Sequence, residues 1–209
     1  MANNVNILKA SFNGKLGAVY GDNSKGVAKV KAIPFSHAPT KESVKNQCRA
    51  FECLNRFSSG VAKTFWKYLS LSDRKLLRHN AVAQSFKGAV TGGVWNPALL
   101  ASIIGTDGNT EITAHTVNRV SGEFSIGVQT LNGITPDNRS VALFVALMDD
   151  TGKVIFSDNP ASANYASTGV ARLFSERQYY VVAFRSHFNE TSKKWKTNGF
   201  VLQECIYNE

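Results

Sequence analysis

The side chains with the most chemical potential in this chain are cations at regular spacing. Lys41, Lys45 and Arg49 recur every fourth residue and Arg56 follows two turns on, so in a helix they line one face. Lys29 and Lys31 share one face of the alternating run Gly26-Val-Ala-Lys-Val-Lys-Ala-Ile33. Stripes of this kind hold phosphates or carboxylates by charge and counterion release, without reading sequence. Lys29, Lys31, Lys41, Lys45, Arg49 and Arg56 are therefore the expected contacts to nucleic acid or another polyanion. The competing reading is a lysine-rich solvated surface. Lysine outnumbers arginine, which argues against bidentate recognition of bases. Phe65-Trp66-Lys67-Tyr68 interleaves aromatics with a cation, as single-strand binders do, but its spacing with Val61 and Leu69 fits a helix core better.

Catalytic chemistry is poorly supplied. The four histidines, His37, His79, His115 and His187, are scattered, and none pairs with a cysteine or carboxylate at metal-ligand spacing. Cys48 and Cys53 are five apart, about 140° round a helix, and badly placed to share a metal. Asp149-Asp150 has the outline of a cation site but introduces the turn Asp150-Thr-Gly152. Gly14-Lys-Leu-Gly17 and Gly21-Asp-Asn-Ser-Lys-Gly26 lack the Walker spacing and its following helix. The reading is a non-enzymatic protein with no metal site and no cofactor.

Composition sets the limits of the fold. The chain has 209 residues, and its 43% apolar content is too high for a disordered protein. Residues 1–100 hold eleven Lys and four Arg against Asp22, Glu42, Glu52 and Asp73, a net of +11, whereas residues 101–209 carry a net of −2. The split points to a basic region that meets a polyanion and a near-neutral one that need not. No apolar run approaches the roughly 20 residues of a membrane span. The start, Met1-Ala-Asn-Asn-Val-Asn-Ile-Leu-Lys9, does not read as a secretory signal. Three cysteines suit a reducing compartment. The expected setting is cytoplasmic or virion-associated, with no membrane partner.

These side chains need elements to hold them. Phe12–Tyr20 and Gly26–Ile33 read as the strands of a β-hairpin across Gly21-Asp-Asn-Ser-Lys-Gly26. After Pro34 and Pro39, Thr40 caps a helix with Val44, Cys48, Phe51 and Leu54 at helical spacing. A break is expected at Ser58-Ser-Gly60, then a stretch carrying Val61, Phe65, Trp66 and Leu69. Ser72 caps a third helix to about Phe86, with Leu71 and Leu76 as its hydrophobic staple. Seven short strands follow, near 111–119, 122–131, 140–148, 153–157, 168–174, 179–187 and 197–206. The fold class is α+β: an N-terminal hairpin and short helical bundle, then an antiparallel immunoglobulin-like β-sandwich. The divisions are a glycine-rich basic arm at 1–37, a helical region at 38–90, a linker at 91–110 and the sandwich at 111–209.

Gly14-Lys-Leu-Gly17, Gly26, Lys31-Ala-Ile-Pro34 and Pro39-Thr40, with the Ala-Leu-Phe-Val-Ala strand at 142–146, give the chain a likeness. It resembles a family of small proteins from Bacteroidota and their phages. The resemblance implies the same order of a glycine-bearing segment, a helical middle and a sandwich-like C-terminal half. It implies no activity. The function expected from the architecture is a structural or assembly protein, a phage virion or mobile-element component. Its basic half would contact nucleic acid or an acidic partner, and its sandwich would pack against copies of itself or neighbouring particle proteins. The alternative is a soluble, sequence-nonspecific nucleic-acid-binding protein.

Overall fold

The computed structural model describes residues 14–16, 19–22, 29–32, 42–69, 74, 90–91, 94–131 and 141–208. The chain divides into two units, residues 1–40 and 41–209.

The first unit is a three-stranded antiparallel meander of β1 (Gly14–Leu16), β2 (Val19–Asp22) and β3 (Lys29–Ala32). The expected hairpin is β2–β3, with Val19 opposite Ala32 and Asp22 opposite Lys29. The single first strand expected over 12–20 is instead two strands, because Leu16 pairs with Val19. Only Gly17 and Ala18 separate them, and a glycine first in a two-residue connection is a tight-hairpin signal.

The second unit opens with α1 (Glu42–Thr64) and one 3₁₀ turn, Trp66–Tyr68. The hairpin β4 (Val90–Thr91) and β5 (Val94–Trp95) follows, then a 3₁₀ turn at Pro97–Leu100 that runs into α2 (Ala101–Ile104). Eight strands complete it: β6 (Thr110–Asn118), β7 (Glu123–Thr130), β8 (Val141–Asp149), β9 (Val154–Asp158), β10 (Asn164–Val170), β11 (Tyr179–Asn189), β12 (Lys194–Glu204) and β13 (Ile206–Asn208). They form two four-stranded sheets, ordered β10-β7-β6-β13 and β12-β11-β8-β9. All pairings are antiparallel except β13 with β6, so the first sheet is mixed and not wholly antiparallel as expected. After β12 the chain crosses between sheets at buried Cys205, whose N–H donates to the Tyr179 carbonyl (2.8 Å). A strand that changes sheets closes one side of a sandwich. The third helix expected from Ser72 lies outside the described residues, apart from Arg74.

The unit is α+β and built in three layers. Leu143, Val145 and Leu147 of β8 and Tyr179, Val181 and Ala183 of β11 meet Val117, Phe124, Ile126 and Val128 of the other sheet. The alternate residues, Ala142, Phe144, Ala146, Met148, Val182 and Phe184, face the opposite way. There they meet Leu54, Phe57 and Val61 of α1 and Phe65 just after it. Phe65 packs edge-on to Phe144 and Phe184, with centroids at 5.6 and 5.3 Å, a favoured arrangement of aromatic quadrupoles. Trp95, Leu100 and Ile104, from the segment read as a joint, join the same core.

α1 differs from the sequence reading in two ways. It is one helix of 23 residues, unbroken at Ser58-Ser-Gly60. Gly60 is there for closeness: a Cβ on it would lie 2.3 Å from Cγ2 of Val154 on β9. The apolar stripe is also rotated. Val44 and Phe51 are 40% and 41% exposed, and the buried positions are Ala50, Cys53, Leu54, Phe57, Val61 and Phe65. Reading the two halves as separate helices hid this stripe, which emerges at i, i+3, i+4 and i+7 once they join.

The β8–β9 turn presses on the same helix. Asp149 Oδ1 accepts from the N–H and hydroxyl of Thr151 (2.9 and 2.6 Å) and the N–H of Lys153 (3.0 Å). Gly152, at φ +78°, lies where a Cβ would be 2.2 Å from the Cys53 carbonyl oxygen. Asp149 thus shapes a turn, as its sequence context indicated. Gly60→Ala raises intrinsic helix propensity by about 1 kcal/mol. It also overpacks the β9 contact at a cost of about 1–3 kcal/mol. Urea denaturation should show a net loss in Gly60→Ala and its recovery in Gly60→Ala/Val154→Ala; a more stable single variant would contradict the close approach.

Candidate functional site

With its apolar stripe held against the sheet, α1 turns Glu52, Arg56, Ser59 and Lys63 outward. Because Gly60 lets β9 come close, these residues and Lys153 and Val154 bound a shallow recess of about 510 Å³, with Phe51 at one end. A second recess of about 490 Å³ adjoins it through Lys63 and is lined by Ala62, Thr64, Trp66, Lys67 and Arg74. Arg74 lies 5.7 Å from the Trp66 ring centroid, and Lys67 Nζ lies 4.8 Å from that of Tyr68. Among the described residues, the five cations Arg56, Lys63, Lys67, Arg74 and Lys153 share this surface with one lining carboxylate, Glu52, which pairs with Arg56. A third recess of about 240 Å³ continues round α1 past Arg49, Cys53, Trp95, Asp150 and Arg177, where Arg177 pairs with Asp150 at 3.2 Å.

The sequence-derived contacts fall in several places. Lys29 and Lys31 lie on β3 in the first unit, in register with Asp22 and Tyr20. Lys41 lies outside the described residues. Lys45 is on α1 in an ion pair with Glu42 at 3.7 Å, and Arg49 lines the smallest recess. Among the described residues of the set, Arg56 borders the 510 Å³ recess. Lys63 and Lys67 extend the cationic side of α1 beyond the expected helix break, and continuity through Gly60 is the signal that could have found them. Lys153 carries no such signal, because only the β8–β9 turn brings it beside the helix.

Phe65 belongs to the core and not to a stacking platform. Among the described residues, no three His, Cys, Asp or Glu side chains gather as metal ligands. Asp107 pairs with Arg185, Oδ2 accepting from Nε at 2.6 Å. No described helix is long and apolar enough to cross a membrane. No protein family matches the chain, and no curated protein is significantly similar to it.

Burial pushes the Cys53 thiol up from 9.0 to about 11, partly offset by the Arg56 guanidinium, and pushes Cys205 up to about 12. Cys48 is exposed. Iodoacetamide on the native protein should therefore modify Cys48 and spare Cys53 and Cys205 by peptide mass spectrometry. Both raised thiols keep their protons in the folded state above the pH at which unfolded thiols ionise. Their contribution to stability is complete below pH 9.0 and is lost as pH rises toward 11 and 12. Equal labelling of all three cysteines without unfolding would contradict this packing.

Proposed function

We propose that the chain is a non-enzymatic structural protein that binds a polyanion along the outer face of α1 and makes protein contacts through its sandwich. The cationic run Arg56–Lys63–Lys67–Arg74–Lys153 around two adjoining recesses carries this reading. Five cations beside a single carboxylate among the described residues supply phosphate affinity without base readout, and the lysines act as point charges. Phe51, 41% exposed, and Trp66 add aromatic surface, which favours a nucleic-acid strand over an acidic protein.

We read the sandwich as immunoglobulin-like. Taking β6 to β12 as seven consecutive strands, the first, second and fifth share one sheet, and the third, sixth and seventh share the other. The fourth joins the edge beside the third instead of the fifth. Tyr179, at the start of the sixth strand, bonds back to the backbone of Phe174: its Oη accepts from the N–H (2.6 Å) and donates to the carbonyl (3.2 Å). A tyrosine corner of this form supports the assignment. Such sandwiches serve many unrelated roles, so the functional reading rests on the cationic face.

Fluorescence anisotropy with labelled poly(dT), on nuclease-treated protein across a salt series, tests it. Binding should weaken with a log–log slope of about −3.5 if all five cations engage, at ~0.7 per contact for a single strand. Lys63→Glu/Lys67→Glu/Lys153→Glu should lower affinity at least ~100-fold, about 1 kcal/mol for each charge. Lys41→Glu/Lys45→Glu/Arg49→Glu, the set indicated by sequence spacing, should lower it less. Undiminished binding by the first variant would overturn the assignment.

A further inference from the structure

The two sheets leave four strand edges, and three are short, charged or covered. β9 has five residues, is flanked by Lys153 and ends at Asp158, and lies against α1 through the Val154–Gly60 contact. β12 carries Lys194, Lys196 and Glu204, has a pairing irregularity opposite Ala183–Arg185, and is tied to the end of α2 by the Phe200 N–H donating to the Gly105 carbonyl (2.8 Å). β13 has three residues. These are the usual ways in which folded proteins keep sheet edges from pairing with other chains.

β10 has none of them. Its seven residues, Asn164-Tyr-Ala-Ser-Thr-Gly-Val170, include no charge and no proline. They pair with β7 in unbroken register from Asn164–Gln129 to Val170–Glu123, and no strand among the described residues borders the other side. Asn164, Ala166, Thr168 and Val170 are exposed, Val170 by 74%. A long, regular, uncharged edge presents a row of unpaired backbone donors and acceptors to any matching strand.

We propose that β10 pairs antiparallel with β10 of a second copy of this chain, joining two four-stranded sheets into one across a two-fold axis. The sequence is self-complementary about Ser167. With Ser167 on the axis, Ala166 faces Thr168 of the second copy, Tyr165 faces Gly169, and Asn164 faces Val170. No like charges meet across the junction. Gly169 must stay bare, because a Cβ there would lie 2.6 Å from Cζ of Phe124. The contact is isologous and closes at a dimer, and further growth would need a different surface. This inference rests on the assembly part of the proposed function and is independent of the polyanion groove.

Sedimentation velocity of the full chain, nuclease-treated and at high salt, is the test. The parent should show a reversible, concentration-dependent dimer. Ala166→Lys/Thr168→Lys, at two exposed positions, should sediment as a monomer with an unchanged circular-dichroism spectrum and melting temperature. Ala166→Glu/Thr168→Glu should do the same. Mixing the two variants places opposite charges across the junction and should restore the dimer. A parent that is monomeric at every concentration, or a dimer that survives in both variants, overturns the strand pairing. A monomeric parent that still binds poly(dT) would remove the dimer and keep the groove, whereas a β10-dependent dimer without poly(dT) binding would do the reverse.

Discussion

The β8–β11 pair is apolar on both faces, and the rest of the second unit is arranged to cover it. One face takes the other sheet and the other takes α1. Leu143, Phe144, Val145, Ala146, Leu147 and Met148 are each fully buried, so water has access to neither side. Burying a side chain of this size is worth about 1.5–3 kcal/mol, and either face left open would forfeit several such terms. The helix is therefore a layer of the sandwich domain and not an appendage to it. Its closeness to the sheet requires glycine at Gly60, and the turn beside it requires glycine at Gly152.

That constraint also sets the electrostatics. Once Leu54, Phe57, Val61 and Phe65 face the sheet, the outer side of α1 is fixed, and its charged residues stand along it. Three carboxylates elsewhere in the unit pair with neighbouring cations: Asp107 with Arg185, Asp150 with Arg177 and Glu190 with Lys193. Beside Lys63, Lys67 and Lys153 no carboxylate comes within ion-pair distance among the described residues. Four of the fifteen cations of residues 1–100, Arg56, Lys63, Lys67 and Arg74, thus gather on this surface, extended by Lys153 from the second half.

The strands were easiest to read because turn residues such as Asp150-Thr-Gly152 separate most of them. β8 reads as a strand from its length, but the cover on both of its faces emerges only from the structure. The helix was harder. Ser58-Ser-Gly60 reads locally as a stop, and only the partner strand explains the glycine. The expected break put the apolar face on Val44, Cys48, Phe51 and Leu54, of which Leu54 alone is buried. β13 was hidden because Ile206-Tyr-Asn208 continues β12 in sequence and changes sheets only at Cys205. Lys153 was hidden because its place in the groove depends on a tertiary contact.

Hydrogen exchange by mass spectrometry at low denaturant tests most directly whether helix and sandwich form one unit around the β8–β11 pair. Peptides from α1 and from β6–β7, on opposite sides of that pair, should open with the same free energy, in one cooperative step. If α1 exchanged through a separate and much cheaper opening while β6–β7 stayed protected, the helix would not be an integral layer. The claim that the doubly buried pair organises the molecule would then fail.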